Sequence, residues 1–161
     1  MNRTISTVVT AMLFSASAVA GSDPFVGKWV LNVQQSAYPH GTCPKQMVIL
    51  MEPTEKGIRY RSDTTYDNGA ATYSQYTADY DGKQAIVMGP RGMMLPVFLK
   101  RIDTNTVIAS YTKDLQIVAT SRRVVSKDAR LMTITTTSKD ESGKSVTSVA
   151  VFTKVSAVDH H

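Results

Sequence analysis

The sequence predicts an all-β protein: a closed antiparallel up-and-down barrel of eight to ten strands, lying within a single domain of residues 21–155. First, turn sequences recur at short intervals between Glu55 and Gly143, among them Asp67-Asn68-Gly69 and Asp81-Gly82, and such pairs supply the positive φ of tight hairpins. Second, the segments between the turns are rich in Val, Ile, Thr and Tyr, which suit a pleated, half-buried surface. A long meander exposes its edges unless it closes, so closure into a barrel is expected.

The first twenty residues are predicted to be a secretory signal peptide outside that domain. Arg3 gives a basic start, 8–14 form a short apolar core, and Ala18-Val19-Ala20 precedes Gly21 as a small-residue cleavage site. We therefore expect a periplasmic or secreted protein without a membrane-spanning segment in its mature chain. Residues 156–161 are expected to form a disordered tail.

The first half of the domain contains four predicted strands separated by one long loop. Trp29, Leu31 and Val33 share a face of the first strand, because side chains alternate along a strand. Segment 34–45 is rich in Ser, Pro, Gly and His and is expected to be an irregular flap. Pro53 ends the second strand because it has no N–H to donate. The four strands are predicted at 27–33, 46–52, 58–66 and 70–80.

The second half adds six predicted strands and one apolar loop. The loop, 89–96, carries Met93, Met94 and Leu95 at its tip. These side chains are suited to docking on a partner or membrane, to closing the barrel mouth, or simply to packing. The six strands are predicted at 83–88, 97–102, 107–112, 115–126, 131–139 and 146–155.

The late strands suggest a ligand cavity. Arg122 and Arg123 lie on opposite faces of one strand, so in a closed barrel one of them points inward and is suited to hold a ligand carboxylate. An eight-stranded barrel is just wide enough to be filled by side chains or to hold one small ligand, and both interiors remain open. Tyrosines offer an apolar body with a polar tip, as ligand pockets use. The predicted wall, at the end opposite Trp29, consists of Met47, Tyr60, Tyr76, Tyr80, Tyr111, Arg123 and Met132.

Other classes of function find less support in the residues. Cys43 and His40 are the best nucleophile–base pair, but sequence proximity in a loop does not align them. No phosphate loop, metal cluster or nucleophile elbow is present, so no cofactor, no metal and no enzyme activity is predicted. The formal net charge is +5, but the basic residues are scattered, which argues against nucleic-acid binding.

The segment Phe25-Val26-Gly27-Lys28-Trp29 resembles the Gly-x-Trp motif of lipocalins. With Leu31-Asn32, Ser36, Pro44 and the late segment 120–128, the chain is similar to small exported bacterial lipocalin-like barrels. The resemblance implies that Gly27 and Trp29 close the base of the barrel and that Trp29 packs against Arg122 or Arg123. A barrel of ten strands would resemble the fatty-acid-binding branch of the same superfamily. The resemblance further implies binding of a small apolar or anionic amphipathic ligand; the alternative is a structural or partner-binding barrel with a filled core.

Overall fold

The computed structural model describes residues 21–156 as one closed barrel of ten antiparallel strands. Each strand pairs with the next along the chain, and the first strand closes the barrel by pairing with both the second and the tenth. The predicted fold class is thus confirmed, with ten strands. They are β1 Gly27–Leu31, β2 Gln46–Pro53, β3 Gly57–Thr65, β4 Ala71–Asp79, β5 Asp81–Gly89, β6 Gly92–Asp103, β7 Thr106–Lys113, β8 Gln116–Val125, β9 Leu131–Lys139 and β10 Ser145–Lys154.

The alternation of side chains explains which face of each strand is buried. Along β3, Ile58, Tyr60, Ser62 and Thr64 are buried, while the residues between them are exposed. Because the side-chain period is two, this pattern fixes the register of β3 against its neighbours. The turns behave as predicted from their glycines: Gly69, for example, has φ of +79°.

The base of the barrel is closed by the chain that enters β1. Trp29 is completely buried, and its indole Nε1–H donates to the carbonyl of Phe25 at 2.8 Å. Phe25 is itself 1% exposed. The core begins above this pair and includes Ile49, Met51, Leu99, Val107, Val125, Met132 and Phe152.

Three local expectations were wrong. The first strand ends at Leu31, because the Asn32 side chain accepts from the Gln35 N–H at 3.1 Å and starts a 3₁₀ turn, Val33–Gln35, that exposes Val33. The segment 89–96 is not a loop, since β6 already begins at Gly92 in a tight hairpin. Alternation along 115–126 predicts that Ile117 shares a face with Arg123, but an irregularity between β7 and β8 turns Ile117 outward.

The two neighbouring strands with the fewest residue pairs in register are β4 and β5. Gln75 and Met88 are the one pair in register between these strands, whereas β3 and β4 are paired along their whole length. Within residues 21–156 no helix is long and apolar enough to cross a membrane. The predicted signal peptide, residues 1–20, and the end of the predicted tail, 157–161, lie outside the described residues.

Candidate ligand-binding site

A cavity of about 310 Å³ occupies the half of the barrel away from Trp29. The segment between the 3₁₀ turn and β2 lies over it and contributes Tyr38, Thr42 and Pro44 to its wall. Two backbone hydrogen bonds between Ala37 and Val149, at 2.8 and 2.7 Å, hold this segment on β10. The expected flap therefore roofs the cavity, and no α-helix takes part in the roof among residues 21–156.

The wall is richer in hydroxyl groups than the sequence suggested. Seven of its lining residues are Ser or Thr and four are Tyr, against five without a polar side-chain group. Some hydroxyls pair with one another across neighbouring strands: Ser62 with Ser74 at 2.9 Å, and Ser121 with Thr136 at 2.7 Å. The apolar part is formed by Pro44, Met47, Ile134, Ala150 and Phe152.

Arg123 is the one charged side chain in this wall. It lies on the inward face of β8 and is 2% exposed. Its Nη2 donates to the Tyr111 hydroxyl at 3.1 Å, and its guanidinium carbon lies 4.9 Å from the centre of the Tyr60 ring. Its Nε and Nη1 have no hydrogen-bond partner, and no ion pair involves it among residues 21–156. A buried cation normally has a counter-ion or a full set of acceptors, so these two nitrogens are suited to donate to an anionic acceptor.

Arg123 keeps its charge while the buried Tyr60 and Tyr76 keep their protons. Burial alone would lower the pKa of Arg123, but the hydroxyls of Tyr76, Tyr111 and Tyr60 raise it, and the net pKa lies above the ordinary value. Burial raises the pKa of Tyr60 and Tyr76, and Arg123 only partly opposes this. In the roof, burial and the nearby Cys43 raise the pKa of Tyr38 to about 12. At neutral pH the cavity therefore presents one fixed positive charge among neutral hydroxyl donors.

The structure brings four of the seven predicted wall residues together around this cavity: Met47, Tyr60, Tyr111 and Arg123. Tyr76 does not line the cavity: it is buried beside Tyr60, on which it stacks with ring centres 4.7 Å apart, and its hydroxyl has no hydrogen-bond partner among residues 21–156. Met132 does not line the cavity: it is fully buried in the core and pairs with Val125 of β8 and Phe152 of β10. Whether the four bind a ligand stays a prediction.

Tyr80, the remaining predicted wall residue, lies at the opposite end of the barrel. Its hydroxyl donates to the Asp23 carboxylate at 2.8 Å, and Arg101 donates to the same oxygen at 2.6 Å. The Arg101 guanidinium also lies 4.1 Å from the centre of the Tyr80 ring. The predicted position of Tyr80 in the cavity wall was wrong, because Tyr80 follows the last residue of β4 and therefore lies at the base of the barrel. There it fastens the segment before β1.

The partner of Trp29 is a lysine rather than an arginine. Lys154 at the end of β10 places its Nζ 4.8 Å from the indole centre and donates to the Pro24 carbonyl at 3.1 Å. Burial lowers the pKa of Lys154. Arg122 is exposed on the outer face of β8, and Arg123 points into the cavity, so the expected pairing of either with Trp29 was wrong. Gly27 has φ of +136° and leaves room for the Lys154 side chain, whose Cε would lie 2.9 Å from a Cβ there.

The cysteine–histidine pair does not form a catalytic arrangement here. Cys43 Sγ donates weakly to the Pro44 carbonyl at 3.5 Å, and His40 is exposed in the same segment. No group of three or more His, Cys, Asp or Glu side chains suited to a metal ion occurs in the described part of the chain.

A second recess of about 370 Å³ opens on the outer surface over β2 to β5. It reaches Tyr60 and Tyr76, but its charged groups are already paired: Arg59 with Glu52 at 3.4 Å and Arg61 with Asp63 at 2.7 Å. The interior cavity is the better candidate, because its guanidinium alone is buried and unpaired.

Comparisons with known proteins agree with the fold. No protein-family model matches the chain, and no curated protein matches it. Among solved structures it is similar to the zebrafish ileal bile acid-binding protein complexed with cholic acid, with a TM-score of 0.54 and 13% sequence identity. The match covers 82% of this chain and 99% of the other. The chain thus has a lipocalin-like, calycin-type barrel; identity this low shows the fold alone.

Part of this site could not be found from the sequence. The roof residues Tyr38 and Thr42 belong to a segment without a periodic pattern, so nothing indicated that they turn toward the cavity. Asp23 precedes the first strand, and its link to Arg101 spans 78 residues. The serines and threonines of the inner faces did carry a signal, because they alternate with outward residues on β3, β8 and β9.

Proposed function

We propose that this protein binds a small amphipathic anion non-covalently inside its barrel, with the anionic group on Arg123. The observation that carries the proposal is the buried guanidinium, whose Nε and Nη1 have no hydrogen-bond partner and which forms no ion pair among residues 21–156. A carboxylate accepts strong, charge-assisted hydrogen bonds from a guanidinium. The solved structure of a bile acid-binding barrel with cholic acid supports a ligand role for this fold.

The wall further defines the ligand. A cavity of about 310 Å³ lies at the small end of the range for ligand pockets, which favours a compact molecule. Phe152, Ile134 and Met47 offer an apolar surface, and the serine, threonine and tyrosine hydroxyls of the same wall offer hydrogen bonds. We therefore expect an apolar body with some polar groups, which favours the amphipathic over the purely apolar ligand among the two that the resemblance implied.

The proposal is a binding role rather than catalysis. The residues around the cavity are a fixed cation and neutral hydroxyls, and none is arranged as a base beside a nucleophile. The signal-peptide pattern of residues 1–20 supports a site of action in the periplasm or outside the cell.

The test compares two ligands that differ in the head group alone. Decanoate and decanol are titrated by calorimetry into wild-type protein, Arg123→Met and Arg122→Met. Arg122 is the matched control, because it neighbours Arg123 in sequence but lies on the outer face. We expect wild type and Arg122→Met to bind decanoate more tightly than they bind decanol. Arg123→Met should lose roughly 10- to 100-fold in decanoate affinity, the worth of hydrogen bonds to a charged group.

Two results would contradict the proposal. One is equal affinity for decanoate and decanol in wild-type protein. The other is binding weaker than about millimolar for both, which corresponds to only ~4 kcal/mol. The second result would favour a structural or partner-binding barrel.

A further inference from the structure

Two neighbouring hairpins expose large apolar side chains at the end of the barrel that carries the cavity mouth. They are the β5–β6 and β7–β8 hairpins. Met93 is 71% exposed, Met94 52%, Leu115 101% and Ile117 64%. We call these four side chains the apolar rim. β6 and β7 are adjacent, with Val97 paired to Tyr111, so the two hairpins lie next to each other at this end of the barrel.

Leu115 is the most informative member of the apolar rim. It occupies the left-handed region with φ of 64°, next to Asp114 with φ of 51°. That conformation suits glycine or asparagine and is unfavourable for a leucine. The side chain is fully exposed, so no contact within the protein offsets the backbone strain or the hydration of its apolar surface. The two-residue turn between the paired Lys113 and Gln116 requires positive φ at both of its positions, so the unusual feature is an exposed leucine where glycine or asparagine would suffice.

The charges beside the apolar rim favour an anionic surface. Arg91 lies in the β5–β6 turn and Lys113 at the start of the β7–β8 turn, and both are exposed. Neither forms an ion pair among residues 21–156. Asp114 is the one acidic residue in these two turns, so their balance is positive.

We propose that the apolar rim docks this protein on a membrane surface that contains anionic lipid. Its side chains project from the ends of two neighbouring hairpins, which can enter the lipid headgroup region. Apolar side chains then lie at the acyl boundary and cations at the level of the phosphates, the arrangement found in interfacial binding. Docking in this orientation would bring the roofed cavity mouth toward the bilayer.

The inference is independent of the proposed ligand function, because it concerns the apolar rim and is tested on ligand-free protein. It is tested by co-sedimentation with phosphatidylcholine vesicles, with and without about 30% phosphatidylglycerol, a typical anionic-lipid mimic. The variants are Leu115→Asn and Met93→Gln. The matched control is Ile102→Asn, since Ile102 is 56% exposed at the opposite end of the barrel.

We expect wild type to bind the anionic vesicles and to bind neutral vesicles less tightly. Leu115→Asn should lower vesicle affinity about tenfold, the worth of withdrawing a partly buried leucine side chain. Met93→Gln should lower it as well, and Ile102→Asn should not change it. Because asparagine suits φ of 64°, Leu115→Asn should unfold at the same or a higher urea concentration than wild type, which separates binding from folding.

Three results would overturn the inference. The first is no binding of wild type to anionic vesicles, and the second is unchanged binding by Leu115→Asn. The third is a dimer of wild type, detected by analytical ultracentrifugation, that Leu115→Asn abolishes, because a second copy would then cover the apolar rim. None of these results bears on decanoate binding, so the two proposals fail separately.

Discussion

Replacing Arg123 by methionine should make the empty barrel more stable while it removes the anion site. An uncompensated guanidinium at 2% exposure carries a desolvation cost of several kcal/mol. Its hydrogen bond to Tyr111 returns about 1.5 kcal/mol. Its contact with the Tyr60 ring returns about 1–2 kcal/mol. Methionine has a similar reach, adapts to irregular space and needs no partner.

We therefore expect Arg123→Met to raise the free energy of unfolding of the ligand-free protein by about 1–3 kcal/mol, in line with other replacements of buried charges by apolar residues. Urea denaturation followed by Trp29 fluorescence measures this. At a slope of about 2 kcal/mol per molar urea the midpoint should rise by roughly 0.5–1.5 M. Arg122→Met, on the exposed face, should stay within about 0.5 kcal/mol of wild type.

Ligand should offset the stability advantage of Arg123→Met. Decanoate at about 100 times its wild-type dissociation constant stabilises the wild type by about 2.7 kcal/mol, whereas Arg123→Met, with roughly 10- to 100-fold weaker affinity, gains only about 0.4–1.4 kcal/mol. A fall of more than about 1 kcal/mol in the ligand-free Arg123→Met variant would refute the reasoning. It would show that the contacts of the guanidinium with Tyr60 and Tyr111 stabilise the fold by more than its burial costs, so that Arg123 has a structural role.

Two further predictions concern the base of the barrel. Trp29→Ala should lower the free energy of unfolding by about 3–5 kcal/mol, since it empties a fully buried indole site, and Trp29→Phe should cost less; a loss under about 1 kcal/mol, measured by urea denaturation, would contradict the buried role. Asp23→Ala should lower it by about 1–3 kcal/mol, because Tyr80 and Arg101 lose a shared acceptor while partly shielded from water. Proteolysis near residue 23 should become faster in that variant, and unchanged stability and cleavage would mean that the ion pair does not fasten the segment.

The sequence by itself determined the architecture, because that architecture depends on local signals. Turn residues such as Asn68-Gly69 define hairpins that link neighbouring strands, and alternation along β3 defines which side is buried. An uninterrupted series of hairpins leaves only one closure, between the first and last strands. The burial of Trp29 also followed from its place at the start of β1.

Tertiary structure decided what fills the interior. The sequence showed that Arg122 and Arg123 face opposite ways, but which of them is inside depends on pairing of β8 with β7 and β9. A single irregularity in that pairing sends Ile117 outward while Arg123 stays inward.

The ends of the barrel were also decided by contacts between distant residues. Tyr80 was expected in the cavity, yet its height along the barrel places it beside Asp23, 57 residues away. Lys154 replaced the expected arginine at Trp29, because β10 ends where β1 begins. Periodicity gives the face of a strand on which a residue lies, but its height and its neighbours across the barrel follow only from register, stagger and closure.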